Sequence, residues 1–213
     1  AKGAAALKFL NSGQACISPN RLYVSEQHAD AFTETMVERV AKVSAGNGFT
    51  DGVGVGPLVN EAAVAKVEAQ VDDAVGKGAA ALVGGHRLTE GEFSDGHFFA
   101  PTLLSGVTDT MTIYREETFG PVAPIITYGS VEEVVALAND TEYGLAAYVY
   151  TNNISTAIRT AEGLRFGIIG VNDVNPTSAS VPFGGMKDSG LGREGSHDGI
   201  EEYLETKSIG FAV

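Results

Sequence analysis

The sequence predicts an α/β fold, a three-layer α/β/α sandwich around a mostly parallel sheet. Short apolar segments of strand length alternate along the 213 residues with longer segments whose apolar residues recur at helical spacing. Hydrophobic residues make up 44% of the chain, which is enough for a sizeable buried core. Strands that alternate with helices form βαβ units, and the parallel sheets of such units are covered by helices on both faces.

The elements of the first half are predicted from apolar periodicity and from helix end signals. Asn60 is a residue type that N-cap positions prefer, and Gly76 and Gly78 end the helix that follows it. Glycine-rich and polar loops occupy residues 44–57 and 86–96. The predicted elements are, in order, a helix at 1–10, a strand at 21–24, a helix at 28–43, a helix at 60–75 and a strand at 80–83.

The second half continues the alternation. Ser130 is a predicted N-cap, and Glu132 and Glu133 in the following turn suit the positive end of the helix dipole. The predicted elements are a strand at 121–128, a helix at 131–139, a strand at 145–150, a helix at 155–164, a strand at 167–171, a helix at 198–204 and a strand at 208–213.

Composition excludes several classes of function. The net charge is −13, and a surface of that sign is unsuited to nucleic acid or to an anionic membrane. A single cysteine and four scattered histidines predict neither an internal disulfide nor a metal site. We find no signal peptide or spanning segment and expect a cytoplasmic location. Because the chain opens with Ala1 inside a predicted helix, we expect a fragment or a processed chain.

The only cysteine, Cys16, lies on the turn Asn-Ser-Gly-Gln-Ala-Cys that follows the first apolar helix. A thiolate is a strong nucleophile, and backbone N–H groups on such a turn can lower the thiol pKa and hold an oxyanion. The alternative is a buried, unreactive cysteine, which is common for free thiols. The turn favours a placed nucleophile.

Two glycine patterns resemble nucleotide-binding motifs without their context. Residues 190–195 match G-x-G-x-x-G, but no buried strand precedes them, and the required acidic residue about twenty positions on is missing. Residues 52–56 lack the Lys-Ser/Thr of a P-loop. We therefore predict no phosphate-binding loop in this sequence.

Three other segments stand out. Residues 116–121, Glu-Glu-Thr-Phe-Gly-Pro, either place a carboxylate and a ring in a cleft or form a solvated turn with a core phenylalanine. A carboxylate can accept both hydroxyl protons of a ribose, and a ring can flank a flat heterocycle. In residues 182–190, glycines permit close backbone approach and Phe183 can line a pocket. Asn139 with Tyr-Gly-Leu at 143–145 is interpreted as structural.

Together and in this order, these motifs resemble the catalytic domain of the NAD(P)-dependent aldehyde dehydrogenases. The matching stretches are N-x-G-Q-x-C at 11–16, Gly-Pro-Leu at 56–58, E-E-x-F-G-P at 116–121, N-x-x-x-Y-G-L at 139–145, and residues 182–195. The likeness runs from about Leu7 to the C-terminus and is greatest for the succinate-semialdehyde and related semialdehyde dehydrogenases. It implies a catalytic domain over residues 1–206 and an edge strand over 207–213 that joins subunits of a homo-oligomer.

The resemblance also implies roles for single residues. Cys16 matches the nucleophile that attacks the aldehyde, with its backbone N–H as one oxyanion donor; hydride then leaves to NAD or NADP, and water hydrolyses the thioester. Glu117 matches the carboxylate that binds the nicotinamide ribose, and Phe119 matches the aromatic residue beside the nicotinamide. The substrate-binding loop of the family corresponds to Thr177, Ser178 and Phe183.

The resemblance implies a missing part as well. Family members carry, ahead of this region, a Rossmann-like coenzyme domain that supplies the general-base glutamate, an Asn oxyanion donor and the phosphate-binding groups. We therefore expect the chain alone to be inactive and to bind NAD or NADP weakly or not at all. Without the base, thioester hydrolysis lacks a contribution of about 10²–10⁴-fold.

Two positions depart from the succinate-semialdehyde pattern. The arginine that often holds the substrate carboxylate, six positions before the nucleophile, is Leu10 here, and the second cysteine of some members is Ser18. Leu10 argues against a substrate that carries a carboxylate, and Ser18 excludes a redox disulfide at that position. Three alternatives to the leading interpretation stay open: a CoA-acylating aldehyde dehydrogenase, a non-catalytic module that only self-associates, and a cysteine hydrolase, for which no His-Asn/Asp pattern is evident.

Overall fold

The structure, a computed structural model, describes residues 1–212, in which helices and strands alternate. The helices are α1 (Lys2–Lys8), α2 (Ala29–Val40), α3 (Glu61–Gly76), α4 (Thr112–Arg115), α5 (Val131–Asn139), α6 (Ile154–Gly163) and α7 (Asp198–Glu201). The strands are β1 (Leu22–Ser25), β2 (Ser44–Ala45), β3 (Val53–Val55), β4 (Ala80–Val83), β5 (Arg87–Leu88), β6 (Phe98–Phe99), β7 (Thr102–Ser105), β8 (Val122–Tyr128), β9 (Ala146–Val149) and β10 (Ile168–Val171).

The chain divides into two compact units, and a four-stranded sheet organises the first, Ala1–Leu137. Its strand order is β1-β8-β7-β4. β1 and β7 run parallel to β8, with Leu22 opposite Ile125 and Leu103 opposite Ala123, whereas β4 is antiparallel to β7. The sheet is therefore mixed but mostly parallel, and the predicted α/β class is confirmed.

Helices cover both faces of this sheet. Along β8, Ala123 and Ile125 belong to a buried cluster with residues of α1 and α2, while Val122 and Ile126 belong to a second cluster with residues of α3 and α4. The two faces alternate because successive side chains of a strand point to opposite sides. Since both faces are apolar, β8 appears in the sequence as an almost continuous hydrophobic run.

The second unit begins at Ala138 and contains a two-stranded parallel sheet. Ile168 of β10 lies opposite Ala146 of β9, and α6 packs against both strands. A Cβ at Gly167 would overlap the carbonyl oxygen of Gly184, so glycine is required where these two segments touch.

Most predicted helices and long strands lie within two or three residues of their observed bounds. Asn60 caps α3 by accepting a hydrogen bond from the Ala63 amide, and the Ser130 hydroxyl accepts one from the Glu133 amide at the start of α5. The short strands β2, β3, β5, β6 and β7 and the helix α4 were not predicted, because two to four residues carry too little periodicity.

The C-terminal predictions fit less well. The predicted helix 198–204 ends at Glu201, because Tyr203 and Leu204 are exposed and no apolar contact extends the helix. The predicted strand 208–213 is not formed over residues 208–212, and Val213 lies outside the described residues. A strand needs a hydrogen-bonded neighbour, so the pairing of this segment with another chain stays a prediction.

Candidate active site

Cys16 is a free, exposed cysteine on a turn that follows α1. The Ser18 amide donates a hydrogen bond to the Ala15 carbonyl oxygen at 2.9 Å, which places Cys16 at the corner of this turn. Among residues 1–212, no hydrogen bond occupies the Cys16 amide. The exposed thiol and the open N–H thus lie together, as an attacking sulfur and an oxyanion donor must.

The backbone before Cys16 adopts an uncommon conformation. Three consecutive residues, Asn11, Ser12 and Gly13, have φ angles of 49°, 61° and 74°. Residues other than glycine seldom have positive φ, and a run of such residues persists only where surrounding contacts hold it. The strain therefore indicates a turn whose shape is held by the neighbouring structure.

Gly13 brings the cysteine turn against the segment 116–121. A Cβ at Gly13 would overlap the carbonyl oxygen of Gly120, so the two backbones touch directly. Gly120 follows Phe119 at once, and Cys16 lies three residues after Gly13. This approach places two of the segments singled out in the sequence side by side.

A second contact ties the same turn to the Gly-Pro-Leu segment. The Ser12 hydroxyl donates to the Gly56 carbonyl oxygen at 3.0 Å. The Gln14 side chain donates to the Pro57 carbonyl oxygen at 3.3 Å and accepts from the Val59 amide at 2.9 Å. The Gln14 side-chain amide therefore holds residues 57–59 by two hydrogen bonds, and this contact explains why a glutamine occupies this position of the turn.

Asn20 holds the segment that contains Glu117 and Phe119. Its Nδ2 donates to the Glu116 carbonyl oxygen at 3.0 Å and to that of Ile113 at 3.4 Å, and its Oδ1 accepts from the Thr118 amide at 2.9 Å. Thr118 is fully buried, whereas Glu117 is exposed and Phe119, with a φ of 52°, is half-buried. The Glu117 carboxylate and the Phe119 ring thus extend from a backbone that the Asn20 hydrogen bonds hold in place.

We predict that Asn20→Ala lowers the free energy of unfolding by about 2 kcal/mol, because the Thr118 amide loses its partner beside a fully buried side chain. Denaturant unfolding of the full natural protein measures the change. Asn20→Asp is the matched variant, since it keeps the acceptor and loses both donors. A change below about 0.5 kcal/mol for the alanine variant would show that Asn20 does not hold this segment.

Lys8 is a buried lysine at the end of α1, with only 1% of its surface exposed. Burial lowers the pKa of its ammonium group to about 8, an effect that the negative charge of Glu117 partly opposes. The ammonium thus stays mostly protonated at neutral pH inside the protein. The only hint of this burial in the sequence is that the lysine lies within the apolar run Ala-Ala-Ala-Leu-Lys-Phe-Leu.

The pKa of Lys8 predicts a pH-dependent stability. Below pH 8 the folded protein holds a charge that burial disfavours by about 3 kcal/mol, since the pKa falls from 10.5 to about 8. This cost disappears as pH rises from 8 to 10.5, because the folded state releases the proton before the unfolded state does. We therefore expect Lys8→Met to raise the free energy of unfolding by about 2–3 kcal/mol at pH 7 and by much less at pH 10.

Lys66→Met is the matched control for this prediction, because Lys66 is exposed on α3. Its stability change is expected to stay within about 0.5 kcal/mol at both pH values. Equal effects of Lys8→Met at pH 7 and pH 10 would contradict the buried charge.

The residues predicted to bind substrate belong to the second unit. Thr177 is half-buried and donates to the Asn175 side chain at 3.0 Å, while Ser178 is exposed and its hydroxyl lies 3.1 Å from that of Ser180. Phe183 is half-buried, and its backbone exchanges two hydrogen bonds with Glu194 at 2.8 and 2.7 Å. Phe183 begins a loop that its pairing with Glu194 closes, and Thr177 and Ser178 lie six and five residues before this loop.

Asn139 has the structural role expected from the sequence. Its side chain donates to the Gly163 carbonyl oxygen at 2.8 Å and accepts from the Arg165 amide at 2.7 Å, which ties the end of α5 to the end of α6.

The G-x-G-x-x-G pattern at residues 190–195 follows a 3-10 turn at Lys187–Ser189 rather than a strand, and the helix after it has only four residues. Its rejection as a dinucleotide motif is therefore confirmed.

A cavity of about 380 Å³ lies apart from these motifs, between α3 and residues 87–98. Arg87 at its wall already pairs with Glu68 at 2.8 Å and with Glu61. None of the predicted site residues lines this cavity.

Within residues 1–212, no helix has both the length and the apolar character that crossing a membrane requires. The described residues also contain no cluster of His, Cys, Asp or Glu that could hold a metal ion.

Cys16, Glu117 and Phe119 thus lie in one unit, on two segments joined at Gly13 and Gly120. Thr177, Ser178 and Phe183 lie in the other unit. Sequence reasoning missed Asn20, which holds the segment of Glu117 and Phe119 by hydrogen bonds, and it missed the burial of Lys8.

The comparisons with known proteins agree with one another. The family model described as aldehyde dehydrogenase family matches residues 1–209. The chain is 50% identical over 204 residues to a non-phosphorylating aspartate-semialdehyde dehydrogenase of Halomonas elongata and 47% identical over 206 residues to an NADP(+) succinate-semialdehyde dehydrogenase of Escherichia coli. A crystal structure of succinate-semialdehyde dehydrogenase from Burkholderia pseudomallei matches with a TM-score of 0.90 at 48% identity.

These matches cover nearly all of this chain but a minor part of the relatives. They include 96%, 97% and 95% of this chain and 41%, 42% and 41% of the respective relatives. The chain therefore spans about two fifths of the length of the proteins it matches.

Proposed function

Since the chain belongs to the aldehyde dehydrogenase family, we propose that it carries the reactive thiol of an enzyme that oxidises an aldehyde to a carboxylic acid with NAD(P). The observation that carries this proposal is the exposed Cys16 turn packed against the segment of Glu117 and Phe119. One side of this arrangement offers a nucleophile, and the other offers a carboxylate and a ring.

The chemistry at Cys16 follows from its exposure. Its thiolate adds to the aldehyde carbon, a C–S bond forms, and the carbonyl oxygen becomes an oxyanion that the Cys16 N–H stabilises. Bound NAD(P) would supply the hydride acceptor, and loss of hydride from this carbon would leave the acyl group as a thioester on Cys16. Water then attacks the acyl carbon and the C–S bond breaks, which releases the carboxylic acid and the Cys16 thiolate, while the general base takes up the proton that the water loses.

The residues of the second segment fit a nicotinamide nucleoside. The exposed Glu117 carboxylate accepts hydrogen bonds from a ribose diol, and the half-buried Phe119 ring presents an apolar surface to a flat heterocycle. The general base, the second oxyanion donor and the phosphate-binding groups come from outside these 213 residues. The chain alone is therefore inactive in this proposal.

The substrate is proposed to be a short semialdehyde that carries a carboxylate at its far end. The support is the pair of relatives named for aspartate semialdehyde and succinate semialdehyde. Leu10 is the counterargument within the chain, because an apolar side chain that is 51% exposed stands near Cys16 where an arginine would bind a carboxylate. Recognition of the carboxylate then depends on other residues, among which we propose Thr177 and Ser178, which precede Phe183 by six and five residues.

The test is the formation of NAD(P)H by the full natural protein with two four-carbon substrates, succinate semialdehyde and butanal. A higher kcat/KM for succinate semialdehyde supports the semialdehyde proposal, and a higher value for butanal contradicts it. No NAD(P)H with any aldehyde would overturn the proposed activity. Acid quenching during turnover should leave an acyl group on the peptide that contains Cys16.

Added CoA separates hydrolysis from CoA acylation in the same assay. Formation of the free acid at an unchanged rate supports hydrolysis, whereas an acyl-CoA product would assign the enzyme to the CoA-acylating class. Because nothing in these 213 residues selects between water and a thiol as the second nucleophile, this measurement decides the point.

The C-terminal segment 207–213 is proposed to add a strand to another subunit of a homo-oligomer. Ile209 and Phe211 are 67% and 87% exposed, so the described part of this segment presents apolar side chains to solvent. Deleting these residues from the full natural protein should reduce the number of subunits in the oligomer, which light scattering measures as a fall in molar mass to a smaller multiple of the subunit mass. An unchanged mass would show that the oligomer, if present, forms elsewhere.

A further inference from the structure

Lys187 lies on the anchored segment, residues 184–190, which directly follows Phe183. Its Nζ donates hydrogen bonds to the carbonyl oxygens of Thr141 at 2.7 Å and Asn139 at 3.4 Å. Asn139 is the last residue of α5, and a cation at the C-terminal end of a helix interacts favourably with the partial negative charge there. The ammonium group therefore ties the anchored segment to the end of α5.

Backbone contacts attach the anchored segment to the turn that follows α5. The Met186 amide donates to the Gly144 carbonyl oxygen at 3.0 Å, and the Asp188 amide donates to that of Glu142 at 3.0 Å. The Ser189 hydroxyl accepts a hydrogen bond from the Gly144 amide at 2.9 Å. The segment is therefore held on both sides of its lysine.

The backbone of Lys187 itself adopts a conformation that residues other than glycine seldom have, with a φ of 57°. Glycine would adopt this φ without strain, whereas a lysine keeps it only where surrounding contacts hold it. The lysine at this position is therefore explained by the contacts of its ammonium group and not by the shape of the turn.

Phe183 comes directly before the anchored segment, and its backbone is fixed from two directions. It exchanges two hydrogen bonds with Glu194, at 2.8 and 2.7 Å. The carbonyl oxygen of Gly184 lies so close to Gly167 that an added Cβ there would overlap it. The contacts of Lys187 continue this attachment beyond Gly184, so the half-buried Phe183 ring extends from a backbone with little freedom to move.

We infer that Lys187 is a positioning residue, which sets the place of the Phe183 ring in the aldehyde pocket by tying the anchored segment to the end of α5. This inference rests on the proposed function, since it takes Phe183 as a residue that contacts the aldehyde. A side chain that binds a substrate has to be held in its productive place, because ordering a loose loop on binding costs affinity. Lys187 touches neither aldehyde nor coenzyme, so its removal weakens aldehyde binding and leaves coenzyme binding unchanged.

The test is a double-mutant cycle in the full natural protein, with Lys187→Met, Phe183→Ala and the combined variant. Methionine keeps the length of the side chain and removes the ammonium group, and because Lys187 is exposed the variant should fold like the native protein. We expect Lys187→Met to raise the KM for succinate semialdehyde or butanal, whichever is the better substrate, about five- to tenfold, in line with the loss of hydrogen bonds from a charged donor. The KM of the combined variant should be no higher than that of Phe183→Ala alone, because Lys187 acts through Phe183.

Three further readouts keep a positioning effect apart from a general loss of structure. The kcat of Lys187→Met and its Kd for NAD or NADP, measured by titration calorimetry, should stay within about twofold of the native values. Amide hydrogen exchange of the peptide that contains residues 184–190 should be faster in Lys187→Met, because the segment is loosened. Alkylation of Cys16 by iodoacetamide should proceed at the native rate, which reports an intact cysteine turn.

Two control variants test whether the charge at position 187 is what matters. Lys187→Arg keeps the charge and the donors and should restore the KM to within about twofold of the native value. Lys66→Met removes an exposed lysine of α3 and should leave the KM unchanged.

The outcomes separate this inference from the proposed function. If the native protein oxidises the aldehyde and Lys187→Met has the native KM, the positioning role is overturned and the proposed function stands. If Lys187→Met raises the KM equally with and without the Phe183 ring, or if Phe183→Ala has the native KM, the inference is overturned as well. A native protein that oxidises no aldehyde overturns both proposals.

Discussion

Replacing Cys16 by serine is expected to reduce the kcat of the full natural protein by about 10³-fold or more while leaving its stability within about 0.5 kcal/mol. A serine hydroxyl is almost wholly protonated at neutral pH, and no hydrogen bond among residues 1–212 joins a base to position 16. Its oxygen is also a poorer leaving group than a thiolate when water attacks the acyl intermediate. Because Cys16 is exposed and packs against little, the substitution costs almost no folding energy.

The measurement pairs turnover with chemical labelling. Iodoacetamide should modify the peptide that contains Cys16 in the native protein, and turnover should fall in proportion to the label. Thr50→Ser is a matched control, since it is a small change on an exposed loop and should leave kcat unchanged. If the serine variant kept more than a tenth of the native kcat, Cys16 would not be the nucleophile.

Gly13→Ala is expected to destabilise the first unit by about 2–4 kcal/mol. Two costs combine: a φ of 74° disfavours any side chain by about 1–2 kcal/mol, and the new Cβ overlaps the backbone of Gly120, which cannot rotate away. The turn and the segment 116–121 must then separate. We therefore also expect kcat/KM to fall, because Cys16 moves relative to Phe119.

Alanine substitutions at two other glycines separate the cost of a positive φ from the cost of overlap with a neighbouring backbone. Gly52 also has positive φ, 82°, but nothing lies within 4 Å of an added Cβ, so Gly52→Ala should cost only about 1–2 kcal/mol. Gly48 has neither restriction, and Gly48→Ala should change the free energy of unfolding by less than about 0.5 kcal/mol. Denaturant unfolding measures all three. A Gly13→Ala variant no less stable than Gly52→Ala would refute the close contact with Gly120.

The elements that could be predicted are those with a long periodic pattern and a local end signal. The helix predicted at 60–75 is observed at Glu61–Gly76, because Asn60 caps it and an apolar stripe runs along one face. The strand predicted at 80–83 has those same bounds, because glycines follow it. The final helix was overextended, since a pattern of exposed apolar residues gives no packing energy to continue it.

The residues of the candidate site likewise fall into those that a local motif identifies and those that only the folded structure identifies. Cys16, Glu117 and Phe119 could be proposed from the sequence because each lies in a short motif of unusual residues. Asn20 could not, because the groups it binds lie 93 to 98 positions further along the chain. Lys8 could not be assigned either, because one lysine in an apolar run is ordinarily an exposed residue on a helix.

The sequence by itself determined the α/β class, most element bounds and the motifs that carry the chemistry, because these depend on periodicity and residue type over short distances. Only the tertiary structure decided the strand order β1-β8-β7-β4, the contact of Gly13 with Gly120, and the burial of Lys8. The physical reason is that these features arise from packing between segments that lie about twenty to a hundred residues apart in the sequence. Local patterns report what each segment can form, whereas burial and charge depend on which segments meet.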